Sequence, residues 1–202
     1  NNHALDCLPE SSQVADSLLV EAGILSLAIP GEVNYVKSGM RTLAILSLNL
    51  VDSQFDPESL RASITQARKN SALVVISLHW GNEYQAGPTE SQEEIAQILV
   101  DEGADVIWGH HPHVLQRIEW LTSTLDGHEA LVIYSLGNLL SDQRMLPDAQ
   151  RSALVRLRFS DHRIQKVQII PLVMDEGMHK LTIAGGEDEK RIMERLAGDS
   201  ST

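Results

Sequence analysis

Cysteine is almost absent from this chain. Cys7 is the only cysteine among 202 residues, so no disulfide can form within the chain and no group of thiolates can hold zinc. Any metal site must therefore use His, Asn, Asp or Glu side chains.

Basic residues are also in short supply. The 16 Lys and Arg residues face 28 Asp and Glu residues, which gives a formal net charge of −12. This charge repels a polyanion, so we do not expect nucleic acid as a partner. The longest apolar stretch, from Ala130 to Leu140, is interrupted by polar residues and is shorter than the roughly 20 residues of a membrane-spanning helix.

The chain has the composition of one folded domain, with 43% hydrophobic and 22% charged residues. In its N-terminal part, the pattern predicts a helix from Ser12 to Ala22 with a buried stripe of Ala15, Leu18, Leu19 and Ala22. It then predicts a strand from Ile24 to Ile29 and a pair of strands, Val33 to Lys37 and Thr42 to Leu48, joined by a turn.

The middle of the chain predicts a strand-helix-strand unit. Asp56-Pro57 begins a helix, which the apolar strand from Leu73 to Leu78 follows. A further helix begins at the capping-box pair Thr89 and Gln92 and ends at Gly103, and the next strand runs from Asp105 to Trp108. The two strands of such a unit are parallel.

The pattern predicts a second half that is rich in strands, with antiparallel or mixed pairing. Four more are predicted without helices between them: Val114 to Leu121, Ala130 to Leu136, Ala153 to Phe159 and Ile164 to Val173. Together these patterns predict an α/β fold with mixed sheets flanked by helices.

Histidines concentrate where the two parallel strands end. Four of the eight histidines are involved: His79 directly follows one strand, and His110, His111 and His113 follow the next. Because parallel strands end at the same edge of a sheet, we expect these side chains to form one composite site.

Grouped imidazoles suit a divalent transition metal such as Zn, Mn, Fe or Ni. Pro112 stiffens the backbone between two of them, so His111 and His113 could bind one ion together or one ion each. The alternative is that a histidine only caps a helix or bonds to the backbone, and His110 is the strongest candidate for such a structural role.

Four motifs in this order resemble the poly-gamma-glutamate capsule biosynthesis protein CapA family, within the calcineurin-like metallophosphoesterase superfamily. They are Asn1-Asn2-His3-Ala4-Leu5-Asp6, Ser77 to Tyr84, Gly109 to Gln116, and Tyr134 to Asn138. The resemblance implies a metallophosphoesterase-like α/β sandwich over residues 1–180. A polar tail with a possible short helix would follow over residues 181–202.

The resemblance also implies residue roles. Asn2, His79, His111 and His113 would bind metal, and His3 would be the general acid that protonates the leaving group. Glu83, Tyr84, Asn138 and His110 are possible additional site residues. The cofactors would be Mn, Fe or Zn ions, with two in the full-length protein.

The superfamily pattern begins with acidic ligands on earlier strands, which do not precede Asn1 in this sequence. The resemblance therefore implies a fragment without the first strands, which we expect to be inactive alone. The full-length protein would be a metal-dependent phosphoesterase or a non-catalytic accessory protein that binds an anionic small molecule or polymer. Membrane-bound capsule synthesis proteins would be partners, and the family location is membrane-anchored and extracytoplasmic in bacteria.

Overall fold

The computed structural model describes residues 3, 11–27, 29–141, 146–175 and 180–198. The helices are α1 (Ser11–Glu21), α2 (Pro57–Asn70), α3 (Glu90–Glu102) and α4 (Gly186–Ala197), with one 3-10 helix, η1 (Pro147–Gln150). The strands are β1 (Asn34–Ser38), β2 (Arg41–Asn49), β3 (Leu73–His79), β4 (Val106–His110), β5 (Ile118–Thr122), β6 (Glu129–Ile133), β7 (Arg151–Ser160), β8 (Arg163–Met174) and β9 (Leu181–Ile183).

The strands form two sheets. The larger has the order β1-β2-β3-β4-β6-β5. Its four inner strands are parallel, while β1 and β5 pair antiparallel at the two edges. The smaller sheet, β7-β8-β9, is antiparallel. The predicted α/β class with mixed sheets and the parallel β3-α3-β4 unit are confirmed.

Local sequence explains why α2 and α3 begin where they do. The Asp56 side chain accepts a hydrogen bond from the Glu58 N–H, and Pro57 occupies the first turn. Thr89 and Gln92 form the predicted capping box, and Gly103 ends α3 in the left-handed conformation. These helices bury apolar side chains against the larger sheet in the main core.

The N-terminal part differs from two predictions. The predicted first helix is present as α1, but none of its residues is buried, so the buried stripe was wrong. Leu18 is 59% exposed and Ile24 is 53% exposed. The predicted strand from Ile24 to Ile29 is also absent over residues 24–27. Both edges of β2 are already paired, one with β1 and one with β3, so residues 24–27 cannot add a strand beside β2.

Other strand boundaries are shifted. The strand predicted from Val114 begins only at Ile118, although Leu115 forms an isolated bridge with Leu136. The strands predicted from Ala130, Ala153 and Ile164 are present as β6, β7 and β8.

The C-terminal segment is folded onto the domain. The predicted short helix is present and longer, as α4, and β9 precedes it. Ile192 and Leu196 of α4 lie in a second core cluster with Leu115, Ala153 and Ala184. Within the described residues this segment is therefore a packed element rather than a polar tail, while a domain boundary at residue 180 stays a prediction. Among these residues, no helix has the length and apolarity needed to cross a membrane.

Candidate metal centre

His79 and His110 occupy the carboxyl-terminal ends of β3 and β4. They are paired in register across the two parallel strands, and their Nδ1 atoms are 2.8 Å apart. The other ring nitrogen of His110, Nε2, lies 3.0 Å from the Ser77 hydroxyl. His110 therefore sits between two protein partners, one on each ring nitrogen.

A second group of side chains lies on the loops that follow these strands. Glu83, His111 and His113 each offer one ligand atom, and these three atoms all lie within 4.8 Å of one another. The Nε2 atom of His113 is 3.9 Å from Oε1 of Glu83. Two imidazoles and one carboxylate are a donor set that divalent transition metals accept.

Asn138 determines which nitrogen His113 offers to this group. The Nδ1 atom of His113 is 2.8 Å from the Asn138 side-chain oxygen. Since an amide oxygen only accepts hydrogen bonds, Nδ1 carries the proton. In the neutral ring, Nε2 then holds the lone pair on the side of Glu83, which is the arrangement of a metal-ligating histidine with an outer partner.

The Nδ1 atom of His111 is the most informative atom of the site. It is buried and has no hydrogen-bond partner within the part of the chain that the structure describes. A buried polar atom without a partner is costly, and a metal ion bound to this nitrogen would remove the cost. The residues present therefore fit a divalent metal ion.

The backbone around the histidines is strained. His111 has φ 101° and His113 has φ 64°, which are backbone conformations that residues other than glycine rarely adopt. Tyr84, with φ 59°, donates its backbone N–H to the Pro112 carbonyl at 2.8 Å. Such strain clusters at sites where the surrounding structure fixes a functional geometry.

Gly109 lets this loop approach the core. A Cβ atom at this position would overlap the Tyr134 carbonyl oxygen and the Trp80 indole nitrogen. The Trp80 indole itself donates to that carbonyl at 3.0 Å. No larger residue fits at this position unless these atoms or the Gly109 backbone shift.

Burial keeps the central histidines neutral. Burial, with nearby His110 adding to it, lowers the pKa of His79 to about 3. Burial also lowers the pKa of His110 to about 4 and lowers the pKa of His111, which the Glu83 carboxylate partly offsets. Neutral imidazole is the form that binds metal.

The structure brings most of the predicted site residues together. The ring centres of His79 and His111 are 4.7 Å apart, and those of His111 and His113 are 6.0 Å apart. The Tyr84 ring stacks on His113 with centres 5.8 Å apart. His3 is exposed, and its charge contributes to the lowered pKa of His111. Asn2 lies outside the described residues.

Sequence reasoning missed the contribution of β2. Asn49, at the end of β2, is in register with His79, and its amide donates to the Asp52 carboxylate at 3.0 Å. The Asp52 charge acts to raise the pKa of His111. The sequence carries a signal for this contribution, since β2 is an apolar strand that ends in polar residues, although the hairpin pattern predicts only its pairing with β1.

A comparison with protein-family models shows the family to which the chain belongs. Residues 28–143, more than half of the chain, match the family model for the bacterial capsule synthesis protein PGA_cap. The chain belongs to the PGA_cap family. The matched range includes Glu83, the histidines at positions 79, 110, 111 and 113, and Asn138.

Two curated relatives carry names related to capsule synthesis. The capsule biosynthesis protein CapA of Bacillus anthracis is 35% identical over 150 residues, covering 72% of this chain and 34% of that protein. The PGA biosynthesis protein CapA of Bacillus subtilis is 29% identical, covering 100% of this chain and 56% of that protein. The chain thus spans between one third and somewhat over one half of these relatives.

Two solved structures resemble the fold more remotely. A Staphylococcus aureus protein described as a candidate 5′-nucleotidase, in complex with alpha-ketoglutarate, has a TM-score of 0.43 at 14% identity over 82% of this chain and 33% of that chain. A hypothetical protein from Thermus thermophilus has a TM-score of 0.44 at 12% identity over 69% of this chain and 60% of that chain.

Proposed function

We propose that this chain carries the metal centre of a CapA-like capsule biosynthesis protein, with a dinuclear site of the metallophosphoesterase type. The observation that carries the proposal is the group of Glu83, His111 and His113, in which the buried Nδ1 atom of His111 has no hydrogen-bond partner among the described residues. Membership of the PGA_cap family supports the role in capsule biosynthesis.

The proposed cofactors are Mn, Fe or Zn ions, two in the full-length protein. Glu83, His111 and His113 would hold one ion, and Asn2 and His79 would contribute to the site. A bound ion of this type supplies a coordinated water of lowered pKa and positive charge beside a phosphoester. Without such charge, the net charge of −12 would repel an anionic substrate.

The protein's own residues would orient the ligands and move a proton. Asn138 holds the His113 ring through Nδ1, and Tyr84 stacks against the same ring. His3 is exposed and close enough for its charge to affect the His111 pKa. We assign to His3 the donation of a proton to the leaving group.

Metal binding is the first test. Equilibrium dialysis of the purified chain against Mn²⁺, followed by elemental analysis, should give bound metal that Glu83→Gln and His111→Ala each reduce. Glu90→Gln is the matched control, because Glu90 is an exposed carboxylate on α3. Equal binding by the wild type and both site variants would contradict the proposed centre.

Catalysis needs a separate test on the full-length protein. A generic phosphodiester should be hydrolysed in the presence of metal, and His3→Ala should abolish turnover while reducing bound metal less than His79→Ala does. This pattern would separate proton donation from metal binding. Bound metal without hydrolysis of a phosphodiester or a glutamyl polymer would contradict the catalytic role.

A second function, binding of an anionic polymer without hydrolysis, is favoured by one cavity. This cavity of about 220 Å³ is lined by Arg151, Arg191 and Arg195 together with Val114, which directly follows His113. The guanidinium groups have carboxylate partners, of which Asp148 lies 3.5 Å from Arg195. Binding of oligomeric γ-glutamate that Arg195→Ala weakens, without hydrolysis, would favour this function.

We also propose the location and partners that the family resemblance implies. The full-length protein would be membrane-anchored on the extracytoplasmic side and would act with membrane-bound capsule synthesis proteins. Both curated relatives have names in capsule or PGA biosynthesis, which supports a capsule-related role, while the location rests on the family resemblance. Fractionation of cells that express the full-length protein tests it, and recovery only in the cytosol would contradict it.

A further inference from the structure

The loop of residues 80–89, between β3 and α3, carries Glu83 into the site. One attachment of this loop is the hydrogen bond from Tyr84 N to Pro112 O described above. Pro112 lies between the two histidines of the metal group. The loop therefore needs further attachments on its other side to hold the Glu83 carboxylate in place.

Gln116 provides the second attachment. Its side chain is completely buried, and its amide nitrogen donates to the carbonyl oxygens of Gln85 at 2.9 Å and Gly87 at 3.0 Å. A primary amide has two N–H donors, so both are used on backbone atoms of the same loop. The Gln116 oxygen accepts from the Gln92 amide at 3.2 Å.

Gln92 anchors this arrangement to the start of α3. Its side-chain oxygen accepts from the Thr89 N–H at 3.0 Å, and its own backbone N–H donates to the Thr89 hydroxyl at 3.2 Å. Gly81, where the loop begins, packs so closely that a Cβ atom there would overlap the Gln92 amide. The two buried amides thus contact the loop near its beginning and near its end.

We propose that Gln116 is a positioning residue of the metal centre, acting through the loop that carries Glu83. Gln116 lies three residues after His113 on the same segment. This segment therefore supplies two of the proposed ligands, His111 and His113, and also holds the loop that carries the third, Glu83. The inference rests on the proposed metal function. Loss of a partner bonded directly to a metal ligand typically weakens metal binding by roughly 10–100-fold. Since Gln116 acts through the loop backbone, we expect an effect at the lower end of this range.

A double-mutant comparison of the whole chain tests the inference. Titration calorimetry with Mn²⁺ should give roughly tenfold weaker binding for Gln116→Met than for the wild type. In the Glu83→Gln background, the same substitution should have almost no further effect, because the carboxylate that it positions is gone. Gln97→Met is the control, since the Gln97 amide bonds to Asp101 and Thr122 instead.

Two further measurements separate positioning from general damage. Backbone amide exchange in the Glu83→Gln background, without metal, should become faster over residues 81–88 in Gln116→Met and stay unchanged in α2. If Gln116→Met does not fold, Gln92→Met leaves Gln116 in place and removes the bond to its oxygen. This variant should weaken Mn²⁺ binding in the same background-dependent manner.

The outcomes distinguish this inference from the proposed function. Failure of the wild-type chain to bind Mn²⁺ would overturn both. Binding by the wild type, with Gln116→Met either as tight as the wild type or equally damaging in both backgrounds, would overturn only the positioning role. A loss confined to the background with Glu83 would support it.

Discussion

The Nδ1 atoms of His79 and His110 lie 2.8 Å apart at the ends of two parallel strands. Both rings are neutral at pH 7 because burial lowers both pKa values, so one Nδ1–H donates to the other Nδ1 lone pair. His110 also contacts Ser77 on the same strand as His79. The register of β3 and β4 therefore places the two residues side by side, and the bond to His110 restrains the His79 ring.

We expect replacement of His110 to change the acid sensitivity of the metal-free protein. The pKa of His110 is lowered from 6.5 to about 4 by burial. The unfolded chain therefore binds more protons below pH 6.5, and the free energy of unfolding falls as the pH drops from 6.5 towards 4. Urea unfolding should show a shallower fall for His110→Asn than for the wild type. An identical pH dependence would contradict this.

Gly109→Ala should destabilise the fold and disturb the metal group together. The added methyl group would overlap Tyr134 O and Trp80 Nε1, and such overpacking costs about 1–3 kcal/mol. Gly87→Ala is the matched control, because a Cβ atom at Gly87 meets no atom of the described residues within 4 Å. Thermal unfolding should show a loss for Gly109→Ala only; equal stability of the two variants would contradict the close approach.

Much of the site could be predicted because the topology is simple. His79 and His110 end apolar runs, and the helix between them has strong capping signals, so parallel pairing follows from the sequence. The partners within the site could not be predicted in the same way. Asn138 contacts His113, and Gln116 holds the loop of Glu83. Both contacts join segments that are distant in the sequence, so no local pattern predicts them.

The failures of prediction have a common physical cause. Periodicity shows which face of an element is apolar but not what covers it, so α1 was expected to be buried and is exposed. The opposite case occurs after residue 181, where the composition is polar but Ile192 and Leu196 of α4 are buried in the second core cluster.

Replacing Ile192 tests the attachment of α4. Ile192 is completely buried in the second core cluster, so Ile192→Ala should lower the free energy of unfolding by about 2–5 kcal/mol. Met193→Ala is the control, because Met193 on the same helix is 40% exposed. Chemical denaturation should separate the two variants. A loss of less than about 1 kcal/mol for Ile192→Ala would contradict the packing of α4.

At the other end of the larger sheet, a histidine bonded to a buried carboxylate should make the free energy of unfolding depend on pH with a sign opposite to that of His110. Asp105 is 1% exposed and contacts His128, His162 and Arg68. Its hydrogen bond raises the pKa of His128. This stabilisation is present below the ordinary pKa of about 6.5 and is lost as the pH rises through the raised value.

His128→Asn should therefore destabilise the protein more at about pH 5.5 than at about pH 8.5, on either side of the ordinary histidine pKa. Melting temperatures at the two pH values measure this difference, with His162→Asn as a comparison at the same carboxylate. A larger destabilisation at the higher pH would reverse the sign and contradict the role of the Asp105 bond.

The most direct test of the metal centre is a crystal structure of the zinc-loaded chain with anomalous scattering data. We expect an anomalous peak about 2.0–2.1 Å from the Nδ1 atom of His111, within reach of His113 Nε2 and a Glu83 carboxylate oxygen. A loaded crystal without density beside that nitrogen, or with the nitrogen bonded to the protein instead, would contradict the central claim.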